Sequence, residues 1–160
     1  MFVDFTKLPN ESKIWIYQSS RKFYPEEVKE ITQKIEGFLT SWNDNGNEII
    51  ASYQIKYDRF IIFAVDQTLE SLSVTAIDDS VLFILSLQAT YEVELLDKLN
   101  VSFKQGEYVQ YKDLKEFQKL VKKKAVSAKT IVFNNLINTK EELADNWEIP
   151  ITDSWHNRFL

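Results

Sequence analysis

Residues 49–66, "IIASYQIKYDRFIIFAVD", predict two adjacent strands on which the expected architecture depends. In the first half, apolar and polar residues alternate, as they do in a strand with one buried face. The second half, 59–66, is apolar on both faces, which indicates a strand in the centre of a sheet. Only Asp58 and Arg59 separate the two runs. We therefore expect a hairpin, although tight hairpin turns prefer Asn-Gly or Asp-Gly.

A strand and a helix are expected before this hairpin. "KIWIYQ" (13–18) is typical of a buried strand, and residues 24–46 predict the longest helix. Pro25 suits the first helical position, where no amide donor is needed. Gly46 is the expected end of the helix. Its apolar stripe steps by three and four residues along Val28, Ile31, Ile35, Phe38 and Trp42.

Shorter elements are expected after the hairpin. Residues 78–91 predict a helix capped by Asp78 or Asp79, with a strand as the alternative because the segment is apolar nearly all round. The others are a hairpin at 101–111 that turns near Gly106, a helix at 113–124 that Asp113 and Glu116 open, a last short strand at 130–136, and a short helix that follows Thr139 and ends near Asn146.

This order of elements predicts an α+β fold. We expect a largely antiparallel sheet with helices on one face, a ferredoxin-like β-α-β-β-α start and a C-terminal extension. The sequence shows no internal repeat and no linker-like tract, so we expect residues 1–160 to form a single domain.

Composition excludes several classes of protein. The chain has no cysteine, which excludes disulfides, thiol nucleophiles and cysteine-based zinc sites. Its net charge of −5 argues against general binding of nucleic acid. The N-terminus lacks the basic and apolar regions of a signal peptide, and no apolar run approaches the roughly 18 residues that a membrane span requires. We expect a cytoplasmic protein that is not inserted in a membrane.

Nucleotide and metal chemistry find little support in the sequence. None of the three glycines precedes the Lys-Ser/Thr pair of a P-loop, and Lys129-Thr130 enters a strand instead of opening a helix. Carboxylates remain as metal ligands, at Asp66, Asp78 and Asp79, but a strand end and a helix cap account for these residues. We expect no metal, no cofactor and no assigned catalytic residue.

Two polar segments are candidates for binding a small anion. The loop 18–25, "QSSRKFYP", runs from a strand into a helix N-terminus, where anions tend to bind. However, Glu26 and Glu27 already neutralise that helix end, so an ordinary polar loop is the alternative. A pair of asparagines after a strand can orient a ligand or cap loop backbone. The candidate residues are Ser19, Ser20 and Arg21 in the first segment, and Asn134 and Asn135 in the second.

The chain ends in "DSWHNRFL" (153–160), which contains the only histidine, His156, and also Arg158. One interpretation is chemical: His156 and Arg158 bind a ligand, or His156 acts with Ser154. The other is anchoring, in which Trp155 and Phe159 fill hydrophobic slots and the polar residues contact a nearby loop.

The segments "MFVDFTKLP", "IWIYQSSRKF", "YDRFIIFAVD", "TIVFNNLINTK" and "DSWHNRFL" together resemble a small family of bacterial proteins of about this length. Its members are often labelled ABC-transporter ATPases. The resemblance runs the full length of the chain and implies no catalytic or binding residue. The missing P-loop conflicts with the ATPase label.

Two functions follow as hypotheses. The first is a non-catalytic cytoplasmic binding or adaptor domain that acts through the exposed face of its sheet, on a protein partner or on a second copy in a homodimer. The second is an enzyme or small-anion-binding protein whose site combines the 18–24 loop, the asparagine pair and the C-terminal tail.

Overall fold

The computed structural model of the chain describes residues 1–68 and 71–160. These residues divide into two compact units: unit 1 is Met1–Leu96 with Asn138–Glu141, and unit 2 is Asp97–Ile137 with Glu142–Leu160. Helices and antiparallel sheets occur along the chain, so the predicted α+β class is confirmed. That the chain is a single domain stays a prediction.

Unit 1 contains a three-stranded antiparallel sheet in the order β1-β5-β4. The predicted hairpin is confirmed as β4 and β5, and β5 is the central strand. A ferredoxin-like sheet has a fourth strand. The sheet has three strands within the described residues, so this detail is not confirmed. The elements are β1 (Lys13–Gln18), α1 (Pro25–Ser41), β2 (Asn43–Asp44), β3 (Asn47–Glu48), β4 (Ala51–Lys56), β5 (Phe60–Val65) and α2 (Val74–Tyr91).

Both α1 and α2 pack against one face of this sheet. Phe63 of β5 lies among rings of three elements: its centroid is 5.7 Å from that of Tyr17 and 6.2 Å from those of Phe38 and Phe83. The strand alternation thus points one set of apolar side chains at the helices. The most buried members of this core are Ile31, Ile35, Leu39, Ala51, Ile61, Phe63, Val65 and Ile84.

In β1 and β5, the opposite face of the sheet is buried as well. Its residues in β1 and β5 are Ile14, Ile16, Phe60, Ile62 and Ala64. A strand that is apolar on both sides therefore lies where the sequence places it, in a fully buried central position. On β4 the same face carries Gln54, which is half-buried, and Lys56, which is exposed. Action through an exposed face of a sheet stays a prediction.

Helix α1 begins as predicted and ends earlier. Pro25 is its first residue, and Glu27 Oε1 accepts a hydrogen bond of 2.8 Å from Tyr24 N. The helix stops at Ser41, and Gly46 lies instead in the turn between β2 and β3. Asn45 and Gly46 both have positive φ, of 54° and 86°. This is the primed turn that Asn-Gly favours, so the prediction that Gly46 ends the helix is wrong.

Helix α2 is confirmed as a helix, but it is not capped by Asp78 or Asp79. It begins at Val74, and Ser73 is the cap, with Oγ accepting from Ala76 N at 3.1 Å. Asp44 supports this cap: its carboxylate accepts from Ser73 N at 2.8 Å and from Ser73 Oγ at 2.7 Å. These hydrogen bonds lower the pKa of Asp44.

We expect Ser73→Ala to lower the free energy of unfolding by about 1–2 kcal/mol, because it removes the cap of α2 and the hydroxyl that Asp44 accepts from. Ser73→Thr retains the hydroxyl and is the matched control. Urea denaturation measures both variants. Equal stability of the alanine and threonine variants would contradict the cap assignment.

Unit 2 contains a four-stranded antiparallel sheet in the order β7-β6-β8-β9. The hairpin turning at Gly106 and the capping of α3 by Asp113 are confirmed. The strand predicted at 130–136 is not the last, because β9 pairs with β8. The elements are β6 (Val101–Gln105), β7 (Tyr108–Lys112), α3 (Leu114–Lys122), β8 (Ile131–Phe133), α4 (Lys140–Asn146), which begins within unit 1, and β9 (Glu148–Pro150).

The core of unit 2 is centred on Phe117 of α3. This ring is fully buried and lies 5.8 Å from Phe103 of β6, measured between centroids. It also contacts the C-terminal tail, at 5.9 Å from His156 and 6.4 Å from Phe159. The tail forms a 3₁₀ helix, Trp155–Phe159, and is packed onto the unit as the anchoring interpretation expects.

Candidate functional site

The two serines of the 18–24 loop are used in internal hydrogen bonds. Ser19 is buried; its amide donates to Arg59 O at 2.8 Å, and its Oγ accepts from Arg21 N at 3.3 Å. Ser20 N donates a hydrogen bond to Glu94 O at 3.1 Å, and Glu94 N donates one to Ser20 Oγ at 3.0 Å. The Ser20 hydroxyl therefore fastens the loop to residue 94, whereas the Ser19 hydroxyl supports the loop from within.

Arg21 is held by α1 and α2. Its two terminal nitrogens donate to the two carboxylate oxygens of Glu27 at 2.8 and 2.9 Å, and Nη2 also donates to Tyr91 O at 2.9 Å. The bidentate pair with Arg21 lowers the pKa of Glu27. Glu27 thus occupies the helix N-terminus as an internal anion, and a ligand anion would have to displace it.

The asparagine pair contacts the chain that leads into β9. Asn134 N donates to Trp147 O at 2.7 Å, and Asn135 Oδ1 accepts from Trp147 Nε1 at 2.9 Å. A buried indole N–H usually finds such a partner. Asn134 Oδ1 also accepts from Leu136 N at 3.4 Å, which is a contact with loop backbone of the kind that the structural alternative expects. Asn135 contacts a side chain instead.

His156 is 1% exposed. Its ring stacks on Trp155 with centroids 4.0 Å apart, and Nδ1 lies 2.9 Å from Ser154 Oγ. Burial, together with the nearby charge of Arg158, lowers the pKa of His156 to about 4. The imidazole is therefore neutral near pH 7 and closed to a substrate. The polar contact is to Ser154 in the same segment and not, as the anchoring interpretation expects, to a neighbouring loop.

Arg158 differs from His156 because it is exposed. Its guanidinium carbon lies 5.4 Å from the ring centroids of both Trp155 and Phe159. Cation–π contacts of this kind hold the side chain along the tail.

The predicted site residues fall into two groups. Ser19, Ser20 and Arg21 belong to unit 1, whereas Asn134, Asn135, His156 and Arg158 belong to unit 2. The combined site of the second hypothesis stays a prediction.

The candidate carboxylates have structural surroundings. Asp66 accepts hydrogen bonds from Thr68 N at 2.9 Å and Thr68 Oγ1 at 2.7 Å, at the end of β5. Asp78 and Asp79 are exposed on α2. Across the described residues, no three histidine or carboxylate side chains form a group suited to a metal ion.

A groove of about 460 Å³ lies in unit 1 beside the start of α2. Its lining includes the carboxylates of Asp44, Glu48 and Asp66. Ser73 and Thr68 donate hydrogen bonds to Asp44 and Asp66, and these neutral donors orient the carboxylates without cancelling their charges.

The outer side of α2 carries exposed apolar side chains that the sequence analysis did not select. Leu82 is 63% exposed and Leu85 40%. They lie on one face of the helix with three other exposed residues, and we call this set the α2 stripe: Asp78, Leu82, Leu85, Ala89 and Glu92. The signal was the apolar character of 78–91 on every side, since a helix that packs on one face does not need leucines on the other.

Carboxylates border the apolar centre of the α2 stripe. Asp78 precedes it and Glu92, in a left-handed conformation just after the helix, follows it. Asp79 and Glu94 are exposed nearby. The apolar centre can exclude water against a complementary surface, whereas the ends favour positive charge.

Comparison with known proteins found no matching protein-family model, no matching curated protein and no matching solved structure. Within residues 1–68 and 71–160, none of the helices has the length and apolarity that crossing a bilayer requires.

Proposed function

We propose that this chain is a non-catalytic protein-binding domain that acts as an adaptor. The observation that supports this function is the α2 stripe, whose leucines remain exposed on a helix that is otherwise packed into the core of unit 1. Exposed apolar side chains that cluster on one face are typical of interaction sites.

The surroundings of the candidate chemical groups favour binding over catalysis. Arg21 is paired with Glu27, the serine hydroxyls of its loop are bonded to backbone, and His156 is buried and neutral. A general base must reach the proton that it removes, and a buried tail histidine does not. We include a cytoplasmic location in the proposal, which agrees with the absence of cysteine.

A photo-crosslinking amino acid at position 82 tests the adaptor function in cells of the source organism. We expect an adduct of defined mass that unlabelled wild-type protein suppresses and the Leu82→Gln/Leu85→Gln variant does not. The same amino acid at Gln33, an exposed position of α1, is the control. Turnover of any compound in a panel of nucleotides, phosphate esters and metabolites by the purified chain would reject the proposal.

A further inference from the structure

The residues of the α2 stripe have the spacing of a helix-packing seam. Within α2 the stripe advances from Asp78 by four, three and four residues to Leu82, Leu85 and Ala89, and Glu92 follows just beyond the end of the helix. Alternating steps of three and four keep one line of side chains turned toward a partner helix over several turns. A small residue at Ala89 beside two leucines also leaves room for a side chain of the partner.

The length of the stripe sets the size of the occupant. At a rise of about 1.5 Å per residue, the apolar centre from Leu82 to Ala89 is roughly 10 Å long, and Asp78 and Glu92 are roughly 21 Å apart. A partner helix of about four turns would cover the apolar centre and reach both carboxylates.

The charges of the stripe argue against a second copy of this chain as the occupant. In a parallel pair, Asp78 would face Asp78 and Glu92 would face Glu92. In an antiparallel pair, Asp78 would face Glu92. Both arrangements bring like charges together at each end, in a chain whose net charge is already −5. Like charges across an interface suppress association.

We propose, resting on the protein-binding function above, that the α2 stripe docks an amphipathic helix of a partner protein whose apolar seam is bordered by Lys or Arg at both ends. The leucines supply the buried contact, and Asp78 and Glu92 fix the register of the partner helix. Neither carboxylate forms a hydrogen bond or salt bridge with another residue of the described chain, although the charge of Glu92 also acts on the guanidinium of Arg21.

A peptide-display selection tests the charge preference directly. The library holds the three central seam positions of a helical peptide of about four turns as Leu or Ala, at steps of three and four residues. It varies the two flanking seam positions among Lys, Glu and Gln. Full-length protein is the target, with counter-selection on the Leu82→Gln/Leu85→Gln variant. We expect Lys at both flanks. Enrichment of Glu or Gln flanks, or no enrichment over the counter-target, would overturn the inference.

Fluorescence anisotropy with the selected Lys-flanked peptide then tests the surface. We expect Leu82→Gln/Leu85→Gln to weaken binding at least about tenfold, because central apolar anchors carry most of the affinity of an interface. The matched control is Leu99→Gln/Leu136→Gln, which changes two exposed leucines outside the stripe. Circular dichroism and melting temperature verify that each variant is folded. An equal effect of the two pairs would overturn the assignment.

Charge reversal gives the sharpest result. Asp78→Lys/Glu92→Lys should exchange the preference, so that the Glu-flanked peptide binds more tightly than the Lys-flanked one, while Glu107→Lys/Asp153→Lys, at exposed sites outside the stripe, should not. Unchanged preference in the first variant would overturn the proposed role of the carboxylates.

Two further measurements separate other occupants. Self-association of the wild type in sedimentation velocity would overturn the inference if Leu82→Gln/Leu85→Gln abolished the self-association. Binding of the wild type to phosphatidylcholine vesicles would overturn it if the same variant abolished the vesicle binding. Self-association would leave the protein-binding function standing, whereas vesicle binding through these leucines would reject it, because the α2 stripe would then be a membrane contact. Enzymatic turnover in the compound panel would also reject the adaptor function.

Discussion

We expect Phe117→Ala to lower the free energy of unfolding by about 3–5 kcal/mol, the usual loss for a buried phenylalanine. Phe117 is fully buried, and its ring contacts β6 through Phe103 and the tail through His156 and Phe159. Truncation leaves a cavity where three elements meet, and neighbouring rings cannot close it without leaving their own contacts. Urea denaturation followed by tryptophan fluorescence measures the loss.

Two controls separate this cavity effect from a general effect of substitution. Phe117→Leu keeps most of the volume and should cost less than about 1.5 kcal/mol. Tyr108→Ala, at a β7 position that is 73% exposed, should change stability by less than about 0.5 kcal/mol. A loss for Phe117→Ala no larger than that for Tyr108→Ala would contradict the central position of this ring.

The same variant tests the prediction of a single domain. If the chain unfolds as one cooperative unit, hydrogen exchange in Phe117→Ala should accelerate equally in β5 and β6. If acceleration is confined to β6 and its neighbours in unit 2, the chain contains two independently unfolding parts, and the prediction is wrong.

We expect the burial of His156 to cost the protein about 3 kcal/mol of stability as the pH falls from about 6.5 to about 4. The pKa is about 4 in the folded protein, whereas the unfolded chain has the ordinary histidine pKa of 6.5. Above pH 6.5 the imidazole is neutral in both states and has no effect. Below it, the unfolded chain takes up a proton that the buried ring resists, so stability is lost as the pH falls through this window.

An NMR titration measures this pKa without ambiguity, because His156 is the only histidine in the chain. The matched variant is His156→Gln, which cannot take up the proton. Its stability should fall less steeply than that of the wild type between pH 6.5 and 4, and the difference isolates His156 from the carboxylates that titrate in both proteins. Parallel pH curves, or an imidazole that titrates near pH 6.5, would contradict the prediction.

The strands around β5 were predictable because their signal is local. Side chains in a strand alternate, and a run such as "FIIFAV" has no polar face to leave in water, so only a central position suits it. The capping of α3 by Asp113 was equally local, with donor and acceptor three residues apart.

The errors arose where one residue type serves two purposes. Glycine is common both after the end of a helix and in primed turns. Here the preceding Asn45 favours the turn, because Asn-Gly adopts the two positive φ angles that a primed turn requires. Asp78 and Asp79 rank about equally with Ser73 as caps, and they stand directly before the apolar run, so the sequence favoured them. The short β9 contains a proline, which argues against a strand unless it lies at an edge.

The candidate site was harder to predict than the fold because the partners of its polar groups are distant in sequence. Ser20 forms a hydrogen bond with Glu94, which is 74 residues away in the sequence. Arg21 forms one with Tyr91, which is 70 residues away. No spacing rule connects such pairs. The α2 stripe posed the reverse problem: its residues were visible as a helix, but only packing shows which side of an apolar helix stays uncovered.

Pro150 lies in β9, an edge strand of the unit 2 sheet, where it hinders the addition of a strand from another molecule. Ile151 N donates to Thr130 O, and Asn134 N donates to Trp147 O, so the polar backbone groups at position 150 point away from β8. That outward position is where an incoming chain would seek an amide hydrogen to extend the ladder, and proline has none. The proline therefore removes no hydrogen bond between β8 and β9, and it hinders edge-to-edge aggregation of partly unfolded molecules.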